Sequence, residues 1–145
     1  TLPEVPPCAT PTPIPSVSGR TPRESDFRYV RAVNEGATRL IRLTNDFRAR
    51  WPDGKFSSRT EFREEFALYA SNMACAASAL RDMKSSVTRY AEWDGRFDAV
   101  MSDYVAAIEQ GRESVRTRNV SDYRRFNKRV DEVNAALAEA LVALP

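Results

Sequence analysis

The stretch that decides the fold is residues 62–83, FREEFALYASNMACAASALRDM. Its large apolar residues, Phe62, Phe66, Tyr69, Met73, Ala76, Leu80 and Met83, are spaced alternately four and three apart. That is the spacing of a helix that buries one seam against other helices in a bundle. Ser58-x-x-Glu61 just ahead of it reads as a capping box, in which a hydroxyl and a carboxylate satisfy the free amides of a helix start.

Working outward, Thr21-Pro22-Arg23-Glu24 reads as an earlier helix start, with Thr21 as N-cap and Pro22 in the first turn. The stripe Val30, Val33, Ala37, Leu40, Thr44, Phe47 and Trp51 follows, and Trp51-Pro52-Asp53-Gly54 ends it. Downstream, the seam continues in phase through Phe97, Met101, Tyr104 and Ile108. A single helix from residue 59 to 117 would be roughly 90 Å long at 1.5 Å per residue, about twice the length of its neighbours. A break is therefore expected. Asp94-Gly95 is the preferred place, because Asp can cap a new helix and Gly can relieve a turn, with Ser85-Ser86 as the second choice. A final helix is expected from near Ser121, carrying Tyr123, Phe126, Val130, Val133, Leu137 and Ala140. The expected fold is all-α: residues 21–145 as an antiparallel up-down-up-down four-helix bundle, preceded by residues 1–20 as an extended proline-rich tether.

The 145 residues suit one domain with a tail, and no apolar run is long enough to cross a bilayer. Seven of the nine prolines fall in the first 22 residues, padded with Thr and Ser, a composition that favours polyproline II. Such segments commonly follow export signals and lipid-anchor sites, so an extracytoplasmic location, secreted, periplasmic or tethered at the cell surface by an upstream lipid anchor, is the expectation. Two cysteines, Cys8 and Cys75, are enough to close one disulfide over 67 residues. In the chain-entropy picture that bridge contributes on the order of 4 kcal/mol. Cys75 falls off the apolar seam, among the small residues Ser71, Asn72, Ser78 and Ala79.

The chemistry is bounded mainly by what is missing. With no histidine, the Ser-His-Asp and Cys-His pairs, the H-E-x-x-H helix and the Glu-x-x-His di-iron site are excluded. No Ser-x-x-Lys pair or Gly-rich phosphate loop occurs. No cofactor and no metal site is expected. Carboxylates one turn apart, Glu61 with Glu65 and Asp94 with Asp98, sit among arginines and read as solvated faces. Nineteen of the 22 basic residues are Arg, but they alternate with nearly as many acids for a net charge of +2, so nucleic acid is not an expected partner. The tripeptide Asn119-Val120-Ser121 matches a glycosylation site, a pattern common by chance.

What remains is binding. In the expected topology, the ends of helices one and three meet the starts of helices two and four at a single pole. Twelve basic residues gather there against eight acidic ones, and two helix N-termini add their partial positive charge. Arg59, Arg116, Arg118 and Arg124, with Trp51 as an apolar anchor, are the candidate contacts for a protein partner or a small anionic ligand. The expected function is that of a non-enzymatic, exported or surface-tethered binding bundle. Two alternatives stand beside it: an enzyme using carboxylate, Tyr and Arg groups in a bundle cavity, and a cytosolic scaffold or regulatory protein.

Overall fold

Helix α1, Pro22–Arg50, starts where the cap signal places it: Thr21 is extended and its hydroxyl accepts the Glu24 amide at 3.1 Å. In the computed structural model, which describes residues 21–52, 59–83 and 90–144, the other elements are α2 (Thr60–Asp82), α3 (Ala91–Arg116) and α4 (Val120–Val142). Every regular element among the described residues is helical, and the four helices pack against one another. The tether expected over residues 1–20 lies outside the described residues. Among those described, no helix is long and apolar enough to cross a membrane.

The seam residues form the core. Phe62, Phe66, Met73, Met101, Tyr104, Ile108, Val130 and Leu137 are fully buried, and burying each such side chain contributes about 1.5–3 kcal/mol. The packing is tightest where Gly111 of α3 leaves room for rings. A Cβ there would stand 2.7 Å from Phe126 Cδ1 and 2.9 Å from Phe66 Cζ, so α3 approaches α2 and α4 at that level through its lack of a side chain. Helix α3 packs most extensively, with α2 on one side and α4 on the other, whereas α1 leans mainly on α2 and touches α4 sparingly.

The helix boundaries depart from expectation in two places. Trp93, Asp94 and Gly95 lie inside α3 and do not break it. Asp94 does not cap a helix there, because its carboxylate is buried and accepts the Tyr29 hydroxyl of α1. Gly95 stays helical on an open face, where an added Cβ would meet nothing. The second-choice break, Ser85-Ser86, lies outside the described residues, between α2 and α3. The start of α2 differs as well: its N-cap is Arg59, which makes no side-chain cap bond, so the expected Ser58 box is not the cap. Ser58 itself lies outside the described residues.

Helix α4 begins one residue early, at Val120, because Asn119 Oδ1 accepts the Asp122 amide at 3.0 Å. The asparagine of the sequon thus serves as the helix cap. The α3–α4 connection closes with Arg118 at φ 56°, the Thr117 amide donating to the Glu113 carbonyl and the Asn119 amide to the Ser114 carbonyl. A left-handed residue at this point is the usual way to satisfy the last carbonyls of a helix.

Candidate anion-binding pole

Aromatic contacts join the end of α1, the first turns of α2 and the first turns of α4. Trp51, the C-cap of α1, meets Phe62 of α2 edge to face at 5.5 Å, and Phe62 meets Tyr123 of α4 at 5.5 Å. Phe66 meets Phe126 at 5.6 Å. The last turn of α3 runs directly into α4 through Arg118.

The five candidate residues fare differently. Trp51 is only 5% exposed, its Nε1 donates to Glu65, and the Arg50 guanidinium stacks 4.8 Å from its ring centre. It is a core residue and does not stand as an apolar anchor in a loop, because Phe62 and Glu65 draw it inward. Arg116 is exposed but held by Glu113, with Nε donating at 2.9 Å and a second guanidinium nitrogen completing a two-pronged pair. That pairing holds the Glu113 carboxyl below its usual range, chiefly through the hydrogen bond. Arg59 is exposed at the start of α2. Arg118 and Arg124 are exposed and carry no ion pair among the described residues.

Two further arginines stand out here, although the sequence offers no reason to prefer them to their neighbours. Arg63, one turn into α2, is 6% exposed, and its Nε has no hydrogen-bond partner. Arg112, near the end of α3, is half-buried; its Nε makes no hydrogen bond among the described residues but forms an ion pair with Glu109 at 3.8 Å. Buried guanidinium groups ordinarily find acceptors, because desolvation of an unpaired charge costs several kcal/mol. The one sequence signal that could have marked them is Gly111, a lone glycine within a helical run, which flags a close approach of another element.

Other polar groups in the interior are answered from within. Tyr69 and Thr44 share a hydrogen bond at 2.9 Å, Tyr104 donates to Asn134, and Arg48 of α1 donates to Asp131 at 2.6 Å and to the Asn127 carbonyl at 2.9 Å. Burial raises the Tyr29, Tyr69, Tyr104 and Tyr123 hydroxyls above the ordinary phenol range. The buried aromatic residues pack ring on ring: Phe62 on Phe66 at 6.1 Å and Tyr123 on Phe126 at 5.6 Å. A shallow groove runs along α1, lined by Asn34, Thr38, Arg39, Arg42 and Asp46. Among the described residues, no group of three or more Cys, Asp and Glu side chains is gathered in a way that could hold a metal ion.

Cys75 is buried, together with Ser71 and Ala79 one turn to either side, and so is withdrawn from solvent on α2. Its expected partner, Cys8, lies outside the described residues. No family model matches the chain, and no curated protein or solved structure matches it.

Proposed function

We propose that this chain is a non-enzymatic binding module, an exported or surface-tethered helical bundle that recognises an acidic protein partner or small anionic ligand at its arginine pole. The observation that carries this reading is that Arg118 and Arg124 stand exposed and without ion pairs among the described residues, just ahead of α4 and within its first turns, where Tyr123 meets Phe62 in the first turn of α2. Free amides and unpaired guanidinium groups on one surface attract oxyanions without any dedicated motif. The helices, in this reading, alternate up-down-up-down, an arrangement supported by the Trp51–Phe62 and Phe62–Tyr123 contacts and by the short α3–α4 turn. The extracytoplasmic placement rests on the proline-rich segment and on a proposed Cys8–Cys75 bridge.

Titration with an acidic peptide such as hexa-aspartate, followed by backbone amide shifts, tests the pole. Shifts should concentrate in residues 59–63 and 113–124 and weaken several-fold in an Arg118→Ala/Arg124→Ala double variant. Shifts spread evenly, or centred near Arg23, would refute the assignment. Mass measured before and after alkylation of the unreduced protein tests the bridge. Two modified thiols would remove it, and much of the case for export with it.

A further inference from the structure

We infer that the seam between the first turn of α2 and the last turns of α3 is a phosphate-binding site, with Arg63 and Arg112 supplying the two guanidinium forks. The inference deepens the pole reading by naming the ligand chemistry, and it is independent of where the protein resides.

The placement follows from helix register. On α2, Glu65 and Tyr69 mark the side turned to α1, since they contact Trp51 and Thr44. Arg63 lies on the other flank at 100° per residue. On α3, Asp103 and Tyr104 mark the side turned to α4, where they meet Arg129 at 3.7 Å and Asn134. Arg112 is half a turn round from Asp103, on the side turned to α2. The close approach of Gly111 to Phe66 puts the two helices in contact at this level. The two arginines therefore flank one seam at nearly the same height. Arg59 and Arg116, four residues to the pole side of each, extend it toward solvent.

Arg112 has one ion pair, with Glu109 of its own helix at 3.8 Å, whereas Arg63, at 6% exposure, has no acid partner among the described residues. A leucine or methionine at position 63 would bury comparable apolar surface without the desolvation penalty. The arrangement makes physical sense when an anion completes it. The donors also indicate which anion. A carboxylate offers two coplanar oxygens, and one fork already engages both of them. Two forks from neighbouring helices, together with the N-terminal amides of α2, to which the N-cap Arg59 makes no side-chain bond, match the several oxygens of a tetrahedral dianion.

The test uses the whole chain at constant ionic strength, with chloride balancing each addition. Inorganic phosphate should produce saturable shifts of the Arg63 and Arg112 Nε–Hε signals at about 10 mM or below, and a rise in Tm. Glycerol 3-phosphate is titrated in parallel: a stronger response to it assigns the site to a phosphate borne on an organic molecule, and a stronger response to inorganic phosphate assigns it to the free ion. Arg63→Gln and Arg112→Gln should each weaken phosphate binding by about tenfold or more. In chloride alone, Arg63→Met should melt at or above the parent temperature, because it removes an unanswered charge. Absence of saturable Nε–Hε shifts, an equal response to acetate, or a lower melting temperature for Arg63→Met in chloride would each overturn the site. If the acidic peptide still binds at Arg118 and Arg124 while phosphate does not bind, this inference fails alone and the pole reading stands.

Discussion

The two ends of the helical body both bury charge, and they treat it in opposite ways. At the end where α1 begins, Tyr29 donates to the buried Asp94, Tyr90 donates to Asp26, and Trp93 Nε1 donates to the Ala140 carbonyl at 2.7 Å. Tyr29 packs on Tyr90 at 4.8 Å, and Trp93 stacks on Phe97 at 5.0 Å. The buried Asp94 carboxylate and the Trp93 indole there each have a partner on another helix. At the opposite end, Arg63 and Arg112 present buried donors with no acceptor. The second end also has paired polar groups, such as Trp51 with Glu65, but it leaves the buried Arg63 without an acid partner among the described residues. A fold that can answer a buried carboxylate with a tyrosine could as readily answer a buried guanidinium with an acid. Arg63 is the one place among the buried charges described where that answer is not made within the described residues, and it is there that the proposed phosphate would bind.

The largest effect expected is at alkaline pH. Four tyrosines titrate above the unfolded value of about 10 in the folded state, so the folded protein keeps protons that the unfolded chain releases. Their contribution is fully present below about pH 10 and is lost as pH rises beyond it, by about 1.4 kcal/mol per pH unit for each tyrosine. Tyrosinate absorbance should therefore appear together with loss of helical circular dichroism, and early ionisation of these groups in a folded protein would contradict their burial. Next in size, Tyr29→Phe should cost about 2 kcal/mol in urea unfolding, because it takes a donor from the buried Asp94 carboxylate. A cost near zero would erase the contrast between the two ends.

Helix α3 carries a glycine near each end, and these give the smaller tests. Gly111→Ala should destabilise by about 1–2 kcal/mol, since its methyl would press on Phe126 and Phe66. Smallest of all, Gly95→Ala should stabilise by about 0.7 kcal/mol, because the position is helical and nothing stands within 4 Å. Loss of stability on Gly95→Ala would restore the turn first expected at that point.

The seam of α2 was legible because large apolar residues spaced four and three apart have one low-energy arrangement, and Thr21 and Pro22 marked the start of α1 by local chemistry alone. The break between α2 and α3 was misplaced at Asp94 because a carboxylate in a core register reads as a cap until its partner is known. That partner, Tyr29, is 65 residues away in the chain. Arg63 was read as one basic residue among the many at the pole for a related reason. Its burial is imposed by α3 closing over α2 at Gly111, a tertiary fact without a signature in the residues around position 63. For Trp51 the stripe of α1 is the better guide than the anchor role: Phe62 and Glu65 hold it in the core.

The sparse meeting of α1 with α4 has a consequence for the order in which the protein opens and closes. Their junction depends on Arg48, whose acceptors Asn127 and Asp131 lie 79 and 83 residues away in sequence, so closing it carries a large loop entropy. The α2–α3 and α3–α4 pairs join neighbours in the chain and form at lower entropic cost. Helices α2 to α4 thus make the slowest-exchanging unit, and α1 is the element released in partial opening, its amides exchanging ahead of theirs. The Arg48–Asp131 pair is partly exposed, so added salt weakens it and increases that opening.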